Sequence, residues 1–339
     1  MEVNQPFQFG FLESNLYTRA VKRDMCLSLI QNGINVNLQN EDLLTALHIC
    51  TRKGWIEMSK LFIKNGANVN AKSATGHTPL HFAVERNFDE LTKILMYNGA
   101  STEVWAKVPG STPDEFVTPL LISSKKGFYE ITSFLLRKGA DIHAKGRFGA
   151  SVLHYAIMGK NEEIVKMLLK KGVDVNAQAS NGTPLHEAVR QNHTKLARLL
   201  IANGADIDAK TQDLYTPLHL AVIRRSKEAC ELLISKGAKI NVKNVHGVAP
   251  LFLAICVDEQ FVEIIKMLIS NGALVNTKSN HLETPIYVAI YQERYDIVNI
   301  LIKNGASLNI KTLGGETPFE FALKNQLLGM SKKLIYQHF

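Results

Sequence analysis

Two kinds of apolar stripe alternate along this chain. In one, typified by Ile164, Val165, Leu168 and Leu169, the apolar residues fall at i, i+1, i+4 and i+5 and share one side of a helix. Each such stretch stops at a glycine (Gly33, Gly66, Gly99, Gly139, Gly172, Gly204, Gly237, Gly272, Gly305), the residue that most readily takes the left-handed conformation just past a helix end. The other stripe is shorter and opens on a fixed phrase, Thr216-Pro217-Leu218-His219-Leu220-Ala221. Its threonine can cap a helix, its proline fits the first turn where no amide bond is lost, and its leucine enters the core.

The phrase recurs intact at Thr78-Pro79-Leu80-His81 and Thr183-Pro184-Leu185-His186. It is modified at Thr45, Thr118, Ser151, Ala249, Thr284 and Thr317, and the starts are spaced 33, 40, 33, 32, 33, 33, 35 and 33 residues apart. Such a period predicts paired helices stacked on their neighbours, not the two or three compact domains that 339 residues would otherwise suggest. At these residues the chain resembles the ankyrin-repeat family, from about residue 20 to the end. The resemblance implies an all-α ankyrin-repeat solenoid of helix-turn-helix plus β-hairpin units, about ten including both caps. Residues 1–40 read as an N-terminal capping repeat, 41–312 as ankyrin repeats and 313–339 as a C-terminal capping repeat. It also makes His48, His81, His154, His186 and His219 fold residues, hydrogen-bonded within and between repeats.

The ends must seal their own core. Met25, Cys26, Leu29 and Ile30 match the second helix of a repeat, with Phe7, Phe9 and Phe11 packing over the open end; Met330 to Ile335 reads as a degenerate last helix. Three departures from the period locate irregularities. The 40-residue interval inserts seven residues within 101–117, and Pro109-Gly110-Ser111 marks a long loop beside Trp105. The 35-residue interval lengthens the helical part near Val257 and Asp258, and the 32-residue one shortens the hairpin before Thr183.

Composition changes this picture little. No segment has a leader pattern and no run of eighteen apolar residues occurs, so the chain is expected in the cytoplasm or nucleus, with no membrane insertion. Cys26, Cys50, Cys230 and Cys256 lack metal-ligand spacing and read as reduced thiols. No P-loop, dinucleotide-binding glycine pattern, G-x-S-x-G elbow or H-E-x-x-H helix appears, so neither an enzyme nor a cofactor is expected.

Charge changes more. In the family, partners contact the hairpin tips and the exposed last turn of each first helix, seven and eight residues after the motif threonine. Eight of those eighteen residues are lysine or arginine and one is acidic, where chain-average usage (39 in 339) would put about two basic ones. They therefore carry +7 of the formal net charge of +8. The expected binding site is a basic floor of Arg52, Lys53, Arg86, Lys125, Lys126, Arg190 and Arg224, with Leu44, Phe148 and Tyr215 as exposed apolar anchors and Trp105 on the insertion. Cations at helix C-termini are also mildly stabilised by the helix dipole, by roughly 0.3–1 kcal/mol each, which accounts for some of them. The mixed charge of the tips argues against nucleic acid, which favours basic tips and stacking platforms. The reading is a monomeric, non-catalytic scaffold or adaptor for an acidic protein segment. A host-directed effector, a substrate-recognition adaptor (for example for a ubiquitin ligase) and the regulatory part of a larger protein remain alternatives.

Overall fold

The structure, a computed structural model, describes residues 9–14, 19–112, 114–257 and 262–325. Phe7, the stretch Met330 to Ile335 and the connection 258–261 lie outside the described residues. Eighteen α-helices occur among those described, and the chain divides into two compact units, Met1–Asp174 and Val175–Phe339.

In the first unit a 3-10 turn (Gly10–Leu12) and α1 (Arg19–Gln31) precede four helix pairs. These are α2 (Ala46–Lys53) with α3 (Ile56–Lys64), α4 (Pro79–Glu85) with α5 (Asp89–Tyr97), α6 (Pro119–Lys126) with α7 (Tyr129–Arg137), and α8 (Val152–Met158) with α9 (Glu162–Lys170). The first helices pack side by side in the order α2, α4, α6, α8, and the second helices as α3, α5, α7, α9. Phe9 is fully buried, its ring edge-on to Phe62 of α3 with centroids 5.2 Å apart. Lys22 of α1 is buried too: its Nζ donates to the Leu12 carbonyl (3.1 Å) and lies 5.0 Å over the Trp55 ring.

The second unit repeats the plan. Its pairs are α10 (Pro184–Arg190) with α11 (Thr194–Ala202), α12 (Pro217–Ile223) with α13 (Lys227–Ser235), α14 (Pro250–Val257) with α15 (Val262–Ser270), and α16 (Pro285–Tyr291) with α17 (Tyr295–Lys303), followed by α18 (Pro318–Lys324). First helices again pack in sequence, α10 through α18.

The motif residues perform the predicted local work. Thr45, Thr118, Thr216, Thr284 and Thr317 accept a backbone N–H from the third residue of the helix they cap. Each histidine then ties its repeat twice. Nδ1 of His48 accepts the Thr45 N–H (3.0 Å), and its Nε2 donates to the His77 carbonyl of the next repeat (3.1 Å). His186 reaches the Tyr215 carbonyl (3.0 Å) and His219 the Val248 carbonyl (3.1 Å) in the same way. Burial of the rings drives their pKa values down, to about 4 for His48 and His219 and about 3 for His81. Where the phrase ends differently, Glu320 takes over the task, accepting the Thr317 N–H at 2.8 Å.

A second set of staples runs along the loops after the closing glycines. Asn37 Nδ2 donates to the Gly66 carbonyl (3.0 Å) while its Oδ1 accepts the Asn68 N–H (2.7 Å). Asn70, Asn176, Asn241 and Asn276 repeat that pair of bonds onto the next loop of their own unit. Loop backbone groups on the surface are thereby paired from one repeat to the next.

The hairpins are mostly tight turns without a ladder. The 32-residue interval gives the shortest, with Ala179 and Gly182 exchanging both backbone bonds at 3.0 and 2.9 Å. The 40-residue interval gives the one two-stranded sheet among the described residues, β1 (Ala106–Lys107) antiparallel to β2 (Phe116–Val117).

Candidate partner-binding site

Helix α2 ends at Arg52-Lys53, α4 at Glu85 with Arg86 as its cap, and α6 at Lys125-Lys126. Because these helices pack side by side, their C-terminal ends form one row in the first unit. Of its five cations two are engaged and three are free of ion pairs among the described residues. Arg52 pairs with Glu13 and lies 6.0 Å over the Phe82 ring. Lys125 Nζ is 3.3 Å from Glu115 and 5.7 Å over the Tyr155 ring. Lys53, Arg86 and Lys126 are exposed and make no ion pair among the described residues. The acidic member of the row, Glu85, faces His77 at 3.3 Å.

In the second unit the corresponding row changes character. Arg190 is half-buried, paired with Glu187 and donating to the Asn181 carbonyl at 2.7 Å, so it is largely consumed within its own repeat. Arg224 is exposed at the end of α12. Beyond it stand Ile223, Cys256, Tyr291 (67% exposed) and Leu323, with Gln292 Nε2 donating to the Cys256 carbonyl at 3.3 Å. Tyr287 and Tyr291 of α16 gather around Phe321 of α18, ring centroids 5.2 and 5.8 Å apart.

Two of the three expected tip anchors are corrected. Leu44 is buried, 6% exposed, because the turn from Asn40 closes with the Asn40 N–H on the Leu44 carbonyl (3.0 Å) and turns its side chain inward. The residue at the tip is Leu43, 45% exposed with φ +56°. Tyr215 is half-buried, its ring edge-on to His219 at 5.7 Å, and Leu214 (φ +60°) takes the tip instead. Phe148 is at a tip, 48% exposed with φ +55°, its ring 4.6 Å under the Arg147 guanidinium. Trp105, 40% exposed, stands at the base of the insertion.

The described residues of the insertion form a hairpin. Lys107 N–H donates to the Thr75 carbonyl of the preceding tip (2.9 Å), and Val108 N–H to the Glu115 carbonyl (2.7 Å). His81 Nε2 donates to the Val104 carbonyl at 3.1 Å, on the side where the chain enters the insertion. Glu115, buried at 7% exposure, accepts the Tyr155 hydroxyl at 2.9 Å as well as the Lys125 ammonium. The Tyr155 oxygen in turn accepts the Arg147 N–H (3.1 Å), and burial pushes the phenol pKa up. Arg147 completes the network by donating to the Thr112 carbonyl at 2.9 Å. None of this network was read from the sequence, though an acidic residue inside an insertion is a visible cue.

A repeated pair of antiparallel helices, tied by a capping histidine to the next hairpin, defines the class. Family models described as ankyrin repeats match residues 18–106, 109–179 and 175–244 (three copies) and 268–322 (many copies). The chain belongs to the ankyrin-repeat family. Comparison with curated proteins finds no match. Ankyrin repeats are generally protein-protein interaction modules, and among the described residues no helix is long and apolar enough to cross a membrane.

Proposed function

We propose that the chain is a non-catalytic interaction module whose first unit docks an acidic segment of a partner protein along Arg52, Lys53, Arg86, Lys125 and Lys126. The observation that carries this reading is the set of unpaired, exposed cations Lys53, Arg86 and Lys126 at the ends of adjacent helices. Charges left unpaired on a rim steer a complementary partner and set its association rate more than its final affinity. Arg224 is the corresponding cation of the second unit, whereas Arg190 is already neutralised by Glu187. The test is co-purification from the source cell with the intact chain and with Lys53→Glu/Arg86→Glu/Lys126→Glu. Loss of the same bound proteins on the triple variant, with association to the intact chain that slows as salt rises, is the expected result. An unchanged set of bound proteins removes the proposal.

A further inference from the structure

The seven added residues build a wall against the basic row. Beside the insertion lies a cavity of about 470 Å³ lined by Arg86, Lys125 and Lys126 on its rim and by Val108, Val117 and Ile122 on its floor. Glu85 is also on the rim, but it is turned to His77 at 3.3 Å. On the far side of the same turn, Pro109 borders a second cavity of about 340 Å³ with Leu44, Arg52 and Phe82. Val108 and Pro109 thus divide two hollows along the row of helix ends. The divider is held firmly by the Tyr155–Glu115 bond, the Arg147–Thr112 bond and the two strands.

We infer that the insertion makes a two-part pocket, which takes an acidic residue of the partner together with a neighbouring apolar side chain. The inference rests on the basic row being the docking face and names the chemistry read there. A carboxylate meets Arg86 and Lys126, which have no ion pair among the described residues, while a leucine-sized or aromatic side chain covers Val108, Val117 and Ile122. Charge alone does not distinguish one acidic segment from another; an apolar floor beside the charge does, because an acidic segment lacking the side chain leaves that floor wet. Nucleic acid would use the cations without the floor.

The experiment is selection of random peptides on the full chain, followed by titration of the enriched peptide by fluorescence anisotropy. Enrichment of Asp or Glu beside Leu, Ile or Phe is expected, with about tenfold weaker binding on Val108→Asp and on Lys126→Glu. Replacing the apolar residue of the peptide by serine should weaken binding to the unaltered chain equally, a result independent of how any variant folds. If Lys53→Glu and Arg86→Glu weaken binding but neither Val108→Asp nor the serine peptide does, the pocket is wrong and the basic face stands. Both ideas fall if no acidic peptide is enriched, if none of these changes matters, or if a single-stranded oligonucleotide competes for the same residues.

Discussion

The same position, the last turn of each first helix, is basic in the first three repeats of residues 1–174 and mixed in residues 175–339, where Arg190, Arg224 and Lys324 alternate with apolar residues. Lys53, Arg86 and Lys126 occupy it in the first unit; Ile223, Cys256, Tyr291 and Leu323 stand there or beside it in the second. Both units meet identical folding demands through the threonine cap, the histidine and the closing glycine. What differs is therefore what those demands leave free. A repeat protein separates the two kinds of information by position, so a surface comparison between its own repeats reads function with the fold held constant.

The largest expected difference between the units appears in acid. Nδ1 of His48, His81 and His219 must stay unprotonated to accept its capping N–H, and burial holds the folded pKa values near 4, 3 and 4. Above about pH 6.5, the ordinary value, both folded and unfolded chains carry neutral rings and stability is complete. As pH falls below that, the unfolded chain takes up protons that the folded chain refuses, which costs about 1.4 kcal/mol per histidine per pH unit until the folded pKa is reached. With His154 and His186, which accept the same capping N–H, three such rings lie in the first unit and two in the second. Hydrogen exchange followed from pH 7 to pH 4 should show protection lost first in residues 1–174; equal loss would break the comparison.

Next in size is binding itself. Arg86→Glu/Lys126→Glu should weaken an acidic partner by roughly 2–3 kcal/mol, while Tyr291→Ala should leave it within about 0.5 kcal/mol. Isothermal titration of both variants against the same partner decides this. Equal losses would mean that the two ridges act on one ligand.

A smaller effect is confined to the first unit. A Cβ on Gly146 would stand 2.2 Å from the Tyr155 hydroxyl, which is pinned between Glu115 and Arg147 and cannot withdraw. Gly146→Ala should cost about 1–3 kcal/mol by urea denaturation. It should also free Val108 and its neighbours to exchange, without touching the second unit.

The smallest effect is common to both. Leu43, Leu214 and Leu282 hold φ values of +56°, +60° and +57° at hairpin tips, a conformation that costs a bulky residue about 1–3 kcal/mol and glycine almost nothing. Leu43→Gly and Leu214→Gly should each raise the denaturation midpoint, by up to about 1 kcal/mol in stability. A fall in either would show the tip leucines to be packing residues.

Most of the fold was legible because each repeat states its caps and stripes in the same words. Two of the tip anchors, Leu44 and Tyr215, were misplaced by one residue, yet the correct register was present: Leu43, Leu214 and Leu282 each precede a glycine, Gly76, Gly247 and Gly315, by the repeat period of 33. Glycine and leucine share the left-handed position, so the glycine locates the tip. The Glu187–Arg190 pairing was also within reach, since three residues apart on a helix are neighbours. By contrast, the Glu13–Arg52 and Glu115–Tyr155 pairs join residues 39 and 40 apart and depend on how an end and an insertion fold back. The asparagine staples fall between these cases. Their recurrence as Asn35-Val36-Asn37 and Asn68-Val69-Asn70 is plain in the sequence, but their partners are carbonyls of the next loop, which only the stacking identifies.

His81 donates to the Val104 carbonyl where His48 donates to the His77 carbonyl of the next repeat, so the inserted hairpin starts from a fixed point. The β1–β2 pair, Tyr155 on Glu115 and Arg147 on the Thr112 carbonyl then fasten its return. Residues at the open turn, Pro109 and Gly110, are therefore the ones to exchange, as one changes a tool in a chuck, while Glu115 and its partners stay as the handle.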